Sequence, residues 1–369
     1  MEQKELKPSA EPRRLYWPQL DGLRFFAALL VIIHHAPSPP GLPRILREIG
    51  WAGVDLFLVL SAYLLARLLR EEIETTSEIR LGKYFARRVL RIWPLYLGFV
   101  TAALGLKIYT GSFNAQWLGV WLSHLTFFNN FVTAWFGYGA SLPYTQQLWT
   151  ISLEEQFYFV IPFVLPALMN QPTRRIGVLV IASLCFLLLA RFACVLMAMK
   201  HPFMWTTPLR GDAFVLGVGF ALGAFDRLYH SVGGNSLFVS GLLLLLGSHL
   251  LGMPDLMGWK TVFLYTVTDI ACLLMLMGCM KGTLVNRVFC TRPVRYLGRI
   301  SFGLYVFHFL AISIATTLSR KWEWQQNGWM QFALILLITV VLSVMSYELY
   351  EKWFLKFKHR FEVVLNRPD

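Results

Sequence analysis

The chain has 369 residues, of which 56% are apolar and 15% aromatic, and only 15% are charged, against about 25% in a typical soluble domain. The apolar residues run in blocks of roughly 20, the length of a membrane-spanning helix, which excludes a soluble core and also the ~10-residue alternating strands of a membrane barrel. The formal net charge of +13 lies between the blocks and at their ends, a topology signal that argues against a nucleic-acid partner.

In chain order the predicted spans are 19–36, 50–70, 92–110, 148–169, 176–198, 211–229, 236–252, 261–280, 300–319 and 329–351. The first block follows a polar, charged stretch without a cleavage site, so it reads as a retained span. A further block, 116–134, contains Ser123, His124, Asn129 and Asn130, and charge decides whether it crosses. If it does not, and the N-terminus is cytoplasmic, one side collects Lys4, Lys7, Arg13 and Arg14, the cluster from Arg80 to Arg91, Arg174, Arg175, the run from Arg287 to Arg299, and Lys352 to Arg360. The other side keeps Arg44, Arg47, Lys107, Lys200, Arg210, Lys260, Arg320 and Lys321, eight of the 34 basic residues. A crossing at 116–134 would turn the basic 281–299 loop outward. The prediction is therefore an all-α polytopic membrane protein of about ten helices, with both termini cytoplasmic and 116–134 re-entrant or along the outer surface. Residues 1–369 read as one membrane domain without repeats, and any chemistry falls to the helices themselves. Cys185, Cys194, Cys272, Cys279 and Cys290 lack ligand spacing, so neither a disulfide framework nor a metal is expected.

Ionisable residues inside a span are costly, at least ~2.5 kcal/mol at mid-helix. Arg24 and His35 in the first span are eleven residues apart, a rotational offset of about 20° and a rise of roughly 16 Å. They share a face with Ala27, Ala28 and Val31, which could line a narrow passage; the alternative is an interfacial arginine and a hydrogen-bonded histidine. Asp55 in the second span and Glu154 in the fourth reach the same outer depth as His35 in this topology. A carboxylate can orient a general-base histidine; alternatively the acids form ion pairs with Arg210 or Lys107. Arg210-Gly211-Asp212 opens the sixth span, and its arginine could hold a carboxylate or a sugar hydroxyl, or snorkel. Tyr305 and His308 lie one turn apart in the ninth span. On the cytoplasmic side Arg88 and Arg91 share a helix face and could clamp a phosphate, although basic residues beside a span are also routine topology determinants.

Several local patterns resemble the membrane acyltransferase family 3. They are Leu20-Asp21-Gly22-Leu23-Arg24 followed by ten residues and His35, GVDLFLVLSAYLL at 53–65, Arg88-x-x-Arg91 before Ile92-Trp93-Pro94, LWTISLEEQFY at 148–158, RGDAFVLGVGFALGAF at 210–225 and GRISFGLYVFHF at 298–309. Their order and their extent from 20 to 309 make the resemblance specific. It implies ten helices and transfer of an acyl group, usually acetyl, from cytoplasmic acyl-CoA to a hydroxyl on an acceptor. A bacterial inner membrane would house it. It also implies that His35 is catalytic and that Arg24, Arg88 and Arg91 serve the CoA end. Glu154 matches the family's acid by position. The chain departs from the pattern at Ala62, where the family often has Gly, at Phe309-Leu310, where a Pro is usual, and at Tyr350-Glu351-Lys352-Trp353, which lacks a following Pro. It reads as the stand-alone type, without an extracytoplasmic hydrolase-like domain.

The expected mechanism is direct transfer. Arg24, Arg88 and Arg91 would hold acyl-CoA, acetyl-CoA first, as donor substrate, with no permanently bound cofactor. The pantetheine arm would enter along the Ala27/Ala28/Val31 face. His35 would deprotonate the hydroxyl of a carbohydrate or glycolipid acceptor such as lipopolysaccharide, with Asp55 or Glu154 orienting its ring and Arg210, Asp212, Tyr305 and His308 meeting substrate. Membrane lipid is the surrounding partner. Polar residues in spans also suit a flippase for a lipid-linked sugar, but that class typically carries repeated halves.

Overall fold

The computed structural model describes residues 15–199, 206–252, 258–322 and 327–364; the predicted topology residues Lys4, Lys7, Arg13, Arg14 and Lys200 lie outside them. Among the described residues the regular structure is entirely helical: α1 (Pro18–His35), α2 (Arg44–Ile49), α3 (Ala52–Thr76), α4 (Leu81–Tyr109), α5 (Ala115–Leu125), α6 (Asn129–Phe136), α7 (Trp149–Met169), α8 (Thr173–Leu196), α9 (Asp212–Ala221), α10 (Asp226–Ser231), α11 (Gly234–Ser248), α12 (Trp259–Lys281), α13 (Asn286–Phe289), α14 (Arg292–Arg299), α15 (Ser301–Lys321), α16 (Gly328–Ser346) and α17 (Lys352–Lys358). Eight helical stretches, built on α3, α4, α7, α8, α11, α12, α15 and α16, are long and apolar enough to cross a membrane. The protein is an all-α polytopic membrane protein.

The remaining two predicted spans are helical but different in kind. α1 has the length to cross, but Asp21, Arg24, His34 and His35 make its ends polar. α9 has 10 residues, about 15 Å and half a bilayer. The predicted 211–229 span stops early because Gly223 takes φ +87°, a left-handed turn that glycine adopts without penalty, and α10 restarts at Asp226. The 116–134 block is divided between α5 and α6 at Phe127, which sits at φ +56°. Neither piece is long enough to cross.

The bundle is centred on α3 and α12, whose apolar windows are 72% and 78% buried, against 17% for α8 and for the stretch built on α16. The outer helices turn their apolar sides to lipid. Small residues set the close approaches. Gly217 on α9 faces α3 where an added Cβ would lie 2.7 Å from the Ala62 Cβ. Ala62, the departure from the family's glycine, therefore meets a glycine opposite. Gly298 on α14 lies against α1, where a Cβ would fall 1.9 Å from the Asp21 carbonyl, so α14 is pressed onto the start of α1.

Candidate active site

α1 ends at His35 because Pro37 follows. The residue before a proline is steered out of the helical region, and Ala36 is extended at φ −72°, ψ 150°. The half-buried His35 ring thus sits on the last turn. Its Nδ1 lies 2.9 Å from the Val31 carbonyl. A carbonyl only accepts, so Nδ1 carries the proton and Nε2 keeps the lone pair. His308 on α15 repeats the arrangement, with Nδ1 2.6 Å from the Tyr305 carbonyl and Nε2 buried without a hydrogen-bond partner. The two imidazole centroids are 5.0 Å apart, and Phe309 packs 4.6 Å from each. Phe309, beside the Leu310 that stands where the family usually has Pro, therefore packs against both rings.

Tyr305 fastens this end of α15 to the start of α7. Its hydroxyl donates to the Gln147 carbonyl at 2.7 Å and lies 2.8 Å from Thr150 Oγ1. Gln147 returns a bond from Nε2 to the Val306 carbonyl at 2.7 Å. The Tyr305 ring is 5.7 Å from His308 and 6.1 Å from Phe57.

A cavity of about 600 Å³ approaches the histidines from the face that carries the basic cluster. It follows α3 from Glu72 at the mouth to Val54 at the inner end, roughly 27 Å of helix. Arg87, Arg88 and Arg91 line the mouth; Arg24, Glu154 and Tyr158 stand along the wall; Thr150, Phe57 and Tyr305 close the inner end. Its lining contains eight arginines and lysines against five carboxylates, a surplus that favours a polyanion. At the mouth Tyr16 donates to Asp21 Oδ2 at 2.8 Å and accepts from Arg295 Nη2 at 3.0 Å. Burial, then the Asp21 carboxylate, raises the Tyr16 phenol above its usual range.

Prolines in α7 create the wall. Pro162 has no N–H for the Tyr158 carbonyl, and the Tyr84 hydroxyl supplies the missing bond at 2.7 Å. α4 is thereby held against α7, with the Arg88 guanidinium 5.2 Å from the Tyr158 ring centre and 6.0 Å from that of Tyr84. Arg88 Nε is buried without a hydrogen-bond partner. The Tyr158 hydroxyl donates to Glu154.

The structure brings Arg24, Arg88, Arg91, Glu154 and Tyr305 onto one cavity, with His308 and His35 beyond its inner end. Four expectations change. The passage does not follow Ala27, Ala28 and Val31, which are at most 1% exposed. Ala27 and Val31 receive α3 at Gly53, whose added Cβ would lie 2.3 Å from the Ala27 carbonyl, and Ala28 packs with Ile300 and Leu304. Asp55 does not orient His35; it is fully buried in a two-pronged pair with Arg210, Nε to Oδ1 at 2.7 Å and Nη2 to Oδ2 at 2.6 Å. Glu154 bonds Tyr158 rather than the imidazole. Arg210 and Asp212, expected to meet substrate, are likewise engaged. The Arg210 guanidinium sits among the rings of Trp51, Trp149 and Tyr265. Asp212 takes Arg191 Nη1 at 2.5 Å and Nη2 at 3.1 Å, and Thr266 Oγ1 at 2.6 Å. These pairs join α3, α8, α9 and α12.

Arg191 and Asp269, both fully buried, complete that cluster and are absent from the sequence candidates. They carry the same signal as Asp55, a charge inside a long apolar block. Tyr158 and Thr150 had no such signal, since a hydroxyl in an aromatic-rich helix costs little to bury when hydrogen-bonded.

The acyltransferase domain family model matches residues 17–348. YrhL of Bacillus subtilis, named as a candidate peptidoglycan O-acetyltransferase, is 25% identical over 367 residues, covering 91% of this chain and 54% of its own length. The O-acetyltransferase OatA of Staphylococcus aureus is 25% identical over 366 residues, covering 94% and 58%. A candidate acetyltransferase of the Acidianus two-tailed virus, ORF330, is 32% identical over 151 residues, covering 40% and 41%. The chain thus spans about half the length of the curated relatives that it matches along most of its own. No solved structure matches it.

Proposed function

Since the chain belongs to the acyltransferase 3 family, we propose that it is a membrane O-acyltransferase that moves an acetyl group from cytoplasmic acyl-CoA to a hydroxyl of an envelope glycan. The observation that carries this reading is the cavity. It is cationic at one end, extends along roughly 27 Å of α3 and stops at Tyr305, one ring contact from His308. A donor with phosphates at one end and a thioester on a long flexible arm fits that shape. In this reading the cavity mouth and both termini face the cytoplasm, in the inner membrane of a bacterial cell, and the basic residues gathered on that side support the orientation.

The residues divide the work. Arg88 and Arg91 hold donor phosphates in forked hydrogen bonds, and Arg24 and Glu154 line the path of the arm. His35, its tautomer fixed by the Val31 carbonyl, takes the acceptor hydroxyl proton on Nε2 as the oxygen attacks the thioester carbonyl. The carbon–sulfur bond breaks, and the departing sulfur takes that proton back from the imidazolium as CoA-SH. His308 presents a second Nε2 beside the reacting groups and binds the acceptor hydroxyl. Peptidoglycan is the first acceptor to try, from the name of YrhL, and lipopolysaccharide or another glycolipid the next.

The test is release of free CoA thiol by lipid-embedded protein given a panel of acyl-CoAs, with and without envelope glycans. Acceptor-dependent release is expected, falling about a hundredfold or more in folded His35→Ala. Near-normal transfer by that variant would sink the scheme.

A further inference from the structure

The basic wall of the cavity mouth has an opposite side, formed by the segment that follows the last span. α16 passes through a π-helical turn at Tyr347–Glu351 into α17, and Lys352, Lys356, Lys358 and Glu362 all line the cavity. π-turns often mark functional sites. Two bonds moor the segment to α4: Arg87 Nη1 donates to the Phe361 carbonyl at 2.8 Å, and the Tyr350 hydroxyl to the Pro94 carbonyl at 3.3 Å. Arg87 is itself held by Glu72 at 2.6 Å.

Lys358 lines the same cavity mouth as Arg88 and Arg91 and lies within electrostatic reach of both, a concentration of like charge that favours a counter-anion. The Glu362 carboxylate lies 3.4 Å from Lys358 Nζ and 3.2 Å from His359 Nδ1. It is 10% exposed, and Arg87 feels its charge as well. Its ion-pair partners, Lys358 and His359, are on its own short segment, four and three residues away, whereas Glu72 is built into α3. Lys358 and Glu362 also lie beyond residues 17–348 that match the family model, so the family pattern does not account for them.

We infer that Lys358 completes the donor-phosphate site with Arg88 and Arg91, and that the Glu362 carboxylate occupies that site until a phosphate displaces it. The inference rests on acyl-CoA being the donor. An internal carboxylate that must be displaced weakens donor binding by the interaction that it gives up. The tail thereby sets donor affinity, while the family residues set the chemistry.

The test measures Kd for CoA and for pantetheine, which lacks the phosphates, on the whole chain in lipid nanodiscs. Glu362→Gln is expected to tighten CoA about threefold or more. Lys358→Met is expected to weaken it about tenfold, with Lys358→Arg restoring it, and pantetheine is expected to bind all four proteins alike. A purely structural tail would make Glu362→Gln weaker or neutral, and either result overturns the inference. So does loss of pantetheine binding in step with CoA. Wild type that binds CoA while the tail variants match it defeats the inference alone; wild type that binds no CoA defeats the donor reading and the inference with it.

Discussion

Two groups of charged side chains lie within this bundle, and they differ in what completes them. In the cluster of Asp55, Arg210, Asp212, Arg191 and Asp269, each arginine has a carboxylate at hydrogen-bond distance and the participating residues are at most 3% exposed. In the cavity, Arg24, Arg88, Arg91 and Glu154 border open volume, and cations outnumber carboxylates. The first group is sealed among the helices and joins four of them. The second borders a cavity that a ligand can enter. Position within an apolar block does not separate the two; the open volume beside the second does.

The sharpest way to break that contrast is to remove one member of the closed pair. Asp55→Ala leaves the Arg210 guanidinium buried without its carboxylate, expected to cost about 3 to 5 kcal/mol. A large fall in the thermal unfolding midpoint in detergent would register it. The double variant Asp55→Ala/Arg210→Ala should recover part of that loss, because the uncompensated charge is gone. If the single variant unfolded like wild type, the cluster would not be the structural joint described above.

A smaller effect, of the opposite character, is expected in the open group. Arg88→Gln and Arg91→Gln should each shift stability by less than about 1 kcal/mol yet weaken CoA binding about tenfold, measured by calorimetry on nanodisc-embedded protein. An unfolding midpoint lowered as far as in Asp55→Ala would erase the distinction between the two groups.

Much of this was legible in the sequence, and the omissions have physical causes. Apolar blocks of spanning length marked the long helices, because lipid demands internally satisfied backbone. The half-length α9 was not legible: the apolar run continues to Phe225, and only the positive φ at Gly223 ends the helix inside it. Helix periodicity, a local property, put Arg88 and Arg91 on one face; Arg24 was grouped with them through the family resemblance, and all three line the one cavity. The fate of Asp55 was not local. Its partner is 155 residues away, and reading it as His35's carboxylate assumed that equal depth means contact. The small-residue face of α1 invited a similar error. Ala27 and its neighbours could line a channel or admit a close helix, and Gly53 on α3 decides for the helix.

Ala62 offers the finest test of this packing logic. It is fully buried on α3, facing Gly217 of α9 at a separation that leaves no room for two side chains. The interface therefore accepts one methyl in total, and this chain places it on α3. Ala62→Gly, which restores the residue the family often has, removes that methyl and raises the cost of the helical backbone by up to about 1 kcal/mol. Gly217→Ala puts a second methyl where one already sits, expected to cost about 1 to 3 kcal/mol. In the combined variant Ala62→Gly/Gly217→Ala the methyl moves across the interface, so its unfolding midpoint should lie above that of Gly217→Ala alone. A combined variant no more stable than Gly217→Ala would mean that the Val59 carbonyl, also 2.7 Å from the added Cβ, and not Ala62, sets the helix separation.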